Sequence, residues 1–191
     1  MTDLRERRGL TEQVYGPAED SYLLARTVCE AIQSTDLVID VGTGSGFVAA
    51  QIAAETDARV IGSDINPHAC RTARDRGVEV VRADLLTPFA DDTADVVVCN
   101  PPYLPEEPAA AFDDWMEVAL SGGHSGRELI DRFLQTVPRV LRPDGIVFLL
   151  VSTLTGIDAV VEEAAAAGFS VAAVAEESYP YETLTVLKLF R

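Results

Sequence analysis

The tetrad Asn100-Pro101-Pro102-Tyr103 follows directly on an apolar run, Val96-Val97-Val98-Cys99. Its residue types suit one chemical problem. A carboxamide or an aromatic exocyclic amine is a poor nucleophile because its lone pair is delocalised. Two acceptors that grip its two N–H groups orient the nitrogen and favour pyramidalisation. The Asn100 side-chain oxygen and the Pro101 carbonyl are such acceptors. Pro101 and Pro102 fix the backbone that holds them, and Tyr103 can pack against the planar group. Catalysis of this kind is positioning plus electrostatics and needs no general base. A plain rigid turn after a strand would use the same prolines, so the tetrad gains meaning only beside a second site.

That second site is the run Val38-Ile39-Asp40-Val41-Gly42-Thr43-Gly44-Ser45-Gly46. Glycines at a strand-to-helix junction let the backbone turn sharply and approach a ligand. The spacing departs from the dinucleotide fingerprint, because the third glycine falls one residue early and Phe47 stands where Gly is wanted. No Lys follows, which excludes a P-loop. Asp40 would repel a pyrophosphate but attract a cationic ligand with an amino group. S-adenosylmethionine, with a sulfonium, an α-amino group and no phosphate, fits this pattern. Asp64, 18 residues after Gly46, is expected to end the second strand, where it can accept both ribose hydroxyls. Asp84 follows the third strand and could accept from the adenine amino group, with Leu85 covering the ring. Each acid alone reads as a solvated turn or a helix cap. Three at the carboxyl ends of successive strands read as one ligand edge, to which Gly42 and Gly44 add close backbone approach.

The elements that must place these residues follow from periodicity. Strands are predicted at 37–41, 59–63, 78–82, 94–99, 146–152, 169–175 and 183–190. Helices are predicted from near Ala18, at 45–55, 67–76, 126–140 and 157–167, with a short one around 113–119 in a long Pro/Gly-rich connection. Alternation of strand and helix implies a parallel, doubly wound sheet. The last two strands have no helix between them and should form an antiparallel hairpin through Ser178-Tyr179-Pro180-Tyr181. The predicted fold is therefore α/β, a seven-stranded, mostly parallel sheet with one antiparallel strand, which resembles the Rossmann-like sheet of class I methyltransferases. Residues 1–191 read as one domain, with 1–35 as an N-terminal extension and helix.

Composition narrows the setting. The 191 residues are 48% apolar and carry a net charge of −16. No apolar run approaches about 18 residues, so no membrane span is expected. Met1–Gly9 is charged and lacks the apolar core of a secretory signal. Cys29, Cys70 and Cys99 are odd in number and far apart, which argues against a disulfide framework or a metal pair. They read as buried small residues in a reducing, cytoplasmic protein. His68 is expected in the first turn of a helix, and neither it nor His124 reads as a ligand. Of 15 basic residues only Lys188 is a lysine. Such an acidic, Lys-poor, Ala/Val-rich chain resembles proteins of halophiles, and an acidic protein of a GC-rich genome would read alike. The charge argues against direct nucleic-acid binding, although multimolar salt shortens the Debye length to about 3 Å and weakens that argument.

With both sites in place, the chain resembles the HemK-type glutamine methyltransferases, over nearly its whole length. These enzymes use S-adenosylmethionine to methylate the Gln of the Gly-Gly-Gln motif in class 1 peptide release factors. More narrowly it is similar to the short archaeal and eukaryotic branch. Tyr15-Gly16-Pro17-Ala18-Glu19-Asp20-Ser21 resembles that branch's N-terminal signature. Ser121-Gly122-Gly123, Gly126-Arg127-Glu128 and Asp131-Arg132-Phe133 resemble a second one. The resemblance implies cofactor contacts at Ser21, Asp40, Gly42, Asp64, Asp84 and Leu85, and target-amide contacts at Asn100 and the Pro101 carbonyl. Asp40 stands where relatives often have Glu. Bacterial members carry an extra helical domain for the release factor; with only a short stretch before the first helix here, that domain is expected to be absent.

The resemblance also implies a partner, a small zinc-binding activator of several methyltransferases. The residues supply a reason. Val78–Arg82 should lie on the sheet edge, is apolar and lacks proline, and such an edge needs pairing or cover. A loop could cover it instead. Two other functions fit parts of the pattern. One is methylation of an exocyclic amine of adenine or cytosine in DNA or RNA, which the same tetrad would serve. The other is a non-catalytic scaffold, against which the intact acids and Asn100 speak.

Overall fold

The computed structural model describes residues 14, 16–102 and 127–191. Seven strands form one sheet: β1 (Leu37–Val41), β2 (Arg59–Asp64), β3 (Glu79–Arg82), β4 (Ala94–Cys99), β5 (Leu141–Ser152), β6 (Ser170–Ser178) and β7 (Thr183–Phe190). The order across it is β3-β2-β1-β4-β5-β7-β6. The first five run parallel, whereas β7 is antiparallel to both β5 and β6. The expected hairpin forms, closed by the Tyr179 amide on the Glu182 carbonyl (2.7 Å). Its second strand is the inner one, leaving β6 on the outer edge.

Among the described residues, five α-helices accompany the sheet: α1 (Glu19–Cys29), α2 (Phe47–Thr56), α3 (Pro67–Asp75), α4 (Glu128–Val140) and α5 (Ile157–Ala166). Because successive strand residues face opposite ways, the two faces build two cores. Val38, Val96, Val98, Phe148, Leu150 and Val186 meet Leu24, Val28, Ile52 and Ala73 of α1–α3. Ile39, Val97, Leu149 and Leu187 meet Ile130, Phe133, Val137 and Val160 of α4 and α5 on the other face. Truncating a fully buried ring such as Phe133 would cost about 3–5 kcal/mol.

Local signals set the element ends. Asn66 caps α3 by accepting the His68 amide at 2.8 Å, with Pro67 at the first helical position. The fifth strand begins five residues before the predicted Ile146. Leu141 already pairs with Ala94, and the ladder resumes at Val96 with Ile146 after a register shift. Pro143-Asp144-Gly145 thus reads as a turn but lies within a bulged strand. The predicted helix at 113–119 lies outside the described residues. No helix among the described residues is long and apolar enough to cross a membrane.

Candidate functional site

The carboxyl ends of β1, β2 and β4 and the segment after β3 open onto one cleft. This is where a doubly wound sheet binds ligands, at the point where strand order reverses between β1 and β4. Ser21, Asp40, Gly42, Gly44, Asp64, Asp84, Leu85, Asn100, Pro101 and Pro102 all line it. Tyr103 lies outside the described residues.

The glycine loop is held from β2. The Ser63 carbonyl accepts the amides of Gly42 (2.8 Å) and Thr43 (3.0 Å), and the Thr43 carbonyl accepts Gly46 N–H (2.8 Å). Gly42 and Gly44 have φ of 69° and 54°, and a Cβ on either would meet nothing closer than 3.9 Å. Their faces therefore border open cleft. Gly46 serves packing instead: a Cβ there would stand 2.8 Å from Ala73 of α3.

Three acids border the cleft, each held differently. Asp40 is buried, and the Thr43 hydroxyl donates to its Oδ2 at 2.6 Å. Burial pushes its carboxyl up to about 6; the Thr43 hydrogen bond pulls the other way and the nearby Asp64 charge adds to the rise. Asp64 accepts the Gly44 amide on Oδ2 (2.9 Å) and the Asn66 amide on Oδ1 (2.8 Å). Burial raises its pKa as well, against the pull of those amides. Asp84 is half exposed and pairs with Arg132 of α4, whose Nη2 donates to Oδ2 at 2.6 Å. Leu85 beside it takes a left-handed φ of 50°, rare for a branched side chain. The Ser63 hydroxyl donates to its carbonyl at 3.1 Å.

Asn100 ends β4. Its Oδ1 is buried and, among the described residues, takes no hydrogen bond, which in a folded interior calls for a partner. Behind it Cys99 is fully buried. Burial, and then the Asp40 charge, push its thiol far up, so it is no nucleophile. Ser21, in the first turn of α1, faces the cleft with its amide and hydroxyl both turned to Asp20 Oδ1 (2.6 and 3.1 Å).

Sequence reasoning passed over Thr43, which fixes the Asp40 carboxylate, and Asn66, which is buried and borders the cleft. The Asn-Pro pair at a helix start was a readable signal for Asn66. Arg132 stands in the Asp131-Arg132-Phe133 signature, but its pairing with Asp84 could not be read there, because the partner lies 48 residues away.

The lining contains three carboxylates and, among the described residues, no Lys, Arg or His. That suits a cation and not a phosphate. Open space against Gly42 and Gly44 and the unpartnered Asn100 oxygen fit a ligand of S-adenosylmethionine's kind. Fold and site together define a class I S-adenosylmethionine-dependent methyltransferase. A family model described as a methyltransferase domain matches residues 38–123. A Methanocaldococcus jannaschii protein named as a protein N5-glutamine methyltransferase is 33% identical over 190 residues, covering 95% of this chain and 94% of its own. Human methyltransferase HEMK2 is 33% identical over 95% of this chain and 91% of its own. Among solved structures, the E. cuniculi Mtq2–Trm112 complex, responsible for methylation of the eRF1 translation termination factor, matches with a TM-score of 0.79. It is 30% identical and covers 94% of this chain and 99% of that one. The chain belongs to the HemK-type protein N5-glutamine methyltransferases, in the branch of HEMK2 and Mtq2.

Proposed function

We propose that this chain methylates the side-chain nitrogen of the Gly-Gly-Gln glutamine in a class 1 peptide release factor. The observation that carries the reading is the buried Asn100 Oδ1 just after β4, which has no hydrogen-bond partner among the described residues and shares the cleft lining with Pro101, in a chain similar to Mtq2 along its length. Asn100 Oδ1 and the Pro101 carbonyl accept the two amide hydrogens and aim the nitrogen's lone pair. Pro102 keeps that backbone rigid, and Tyr103 packs on the amide plane. When bound, S-adenosylmethionine supplies an electrophilic methyl group on a sulfonium. Transfer of that methyl group would exchange its S–C bond for an N–C bond, with the surplus proton of the nitrogen passing to solvent.

The cofactor is held by backbone and acid. Gly42 and Gly44 admit its methionine part, Ser21 and Asp40 take the α-amino end, and Asp64 accepts the ribose hydroxyls. Asp84 accepts the adenine amino group over Leu85. A small zinc-binding activator pairs along β3, whose outer side is an open sheet edge. The pair works as a heterodimer in the cytoplasm of a halophilic archaeon, a setting supported by the charge of −16 and the single lysine. The whole chain acts as one domain.

Mass spectrometry of the Gly-Gly-Gln peptide, from a release factor incubated with the purified pair and S-adenosylmethionine, tests the reading. A gain of one methyl on the glutamine is expected. An unmodified peptide, with methyl incorporated into an oligonucleotide instead, would overturn it.

A further inference from the structure

We propose that Arg132 is a positioning residue that sets the cofactor site's preference for a 6-aminopurine, by pinning the Asp84 carboxylate in one orientation. The inference rests on the reading of Asp84 as acceptor of the adenine amino group. Arg132 and Asp84 are 55% and 44% exposed. At such exposure an ion pair adds little to stability, so the fold has little need of this one.

Its effect is local. Arg132 Nη2 occupies Asp84 Oδ2, while Oδ1 takes no hydrogen bond among the described residues. One oxygen is thus fixed and the other is left to a ligand. Two turns along α4, Arg139 donates to the carbonyls of Phe89 (2.8 Å) and Leu86 (3.1 Å) and to Asp91 Oδ1 (2.7 Å). The helix therefore grips the segment after β3 at both ends. That segment contains Leu85 in its left-handed conformation, which is unfavourable by itself and persists only where surroundings enforce it.

The purine edge explains the selectivity. Adenine offers an amino donor beside an acceptor nitrogen, whereas hypoxanthine offers a carbonyl beside an N–H. A carboxylate pinned where the amino hydrogen arrives faces the hypoxanthine carbonyl with like polarity. Released from Arg132, the same carboxylate can swing to the hypoxanthine N–H. Loss of Arg132 should therefore erase discrimination more than affinity. Lysine brings the charge without the planar fork and should restore only part.

Calorimetry with S-adenosylhomocysteine and S-inosylhomocysteine reads this directly. The wild-type chain should favour the adenine form by about tenfold or more, one hydrogen bond to a charged acceptor. Arg132→Ala should weaken the adenine form about fivefold, the ordering of one side chain, and bring the ratio near unity. Arg132→Lys should fall between. Arg142→Ala, which breaks an exposed pair with Asp95 at the other end of β4, should leave the ratio unchanged. If Asp84→Ala collapses the ratio but Arg132→Ala leaves it at the wild-type value, the role of Arg132 is overturned while that of Asp84 stands. If Asp84→Ala itself leaves the ratio intact, the Asp84 assignment falls, and this inference with it.

Discussion

Asp64 Oδ2 accepts the backbone amide of Gly44 across 2.9 Å, so the acid that ends β2 is part of the glycine loop after β1. Its other oxygen holds the Asn66 amide at the start of α3. One carboxylate thus ties together two backbone turns of the cleft and still borders it.

Replacing it should therefore weaken the cofactor by two routes, lost ribose contacts and a loosened loop. With each hydrogen bond to a charged acceptor worth about 1.5–3 kcal/mol, Asp64→Ala should raise the S-adenosylmethionine Kd about a hundredfold or more. Turnover at saturating cofactor should change far less. An unchanged Kd with a fallen kcat would show that another acid holds the ribose.

Asn100→Ala separates binding from chemistry. Cofactor Kd should stay within about tenfold, whereas kcat should fall about 10²–10³-fold, by analogy with loss of a single transition-state hydrogen-bonding group. Single-turnover methylation of release factor, with a parallel cofactor titration, measures both. Turnover near wild type would remove Asn100 from the reaction.

The Asp40 carboxyl titrates near 6, against an ordinary 3.8, because it is buried. The folded chain holds this proton to higher pH than the unfolded chain does. Stability should thus fall as pH rises from about 4 to about 6, by about 3 kcal/mol at most. Asp40→Asn removes the buried charge and should raise the melting temperature at pH 7.5, at about 2–4 °C per kcal/mol recovered. The same change should weaken the cationic cofactor, and the wild-type affinity should drop as pH falls through about 6. A variant no more stable than wild type at pH 7.5 would contradict this.

The edge strand gives a sharper probe than its sequence implies. Val80 is half-buried and packs on the α1–α3 face, so a charge there would damage the fold along with any interface. Val81 is 38% exposed on the open edge. Val81→Asp should abolish co-purification of the activator on gel filtration and shift the chain's own stability by only about 1 kcal/mol. A complex that survives this change docks elsewhere.

Much of this was legible because strand ends and glycines are local signals. Asp40, Asp64 and Asp84 could be placed on one edge from alternation of strand and helix alone. The bulge that admits Pro143-Asp144-Gly145 to β5 was not, since it depends on Leu141 meeting Ala94 in a neighbouring strand. Nor was the inner position of β7, because a hairpin reads alike whichever strand joins the sheet. The Arg132–Asp84 pair and the left-handed Leu85 exist only through contacts distant in sequence.

The place of β7 between β5 and β6 also bears on how the chain is made. Until the ribosome has extruded Phe190, β5 has no neighbour on that side. Leu187 and Leu189, which pair with Leu149 and Val147, are still missing from the core. A nascent chain emerging in order must carry the wholly apolar run Ile146–Val151, paired on the β4 side only, through the synthesis of residues 153–182, an invitation to mispairing with other chains. Chaperone dependence that lasts until β7 has left the ribosome, and eases abruptly then, is the signature such a topology would leave.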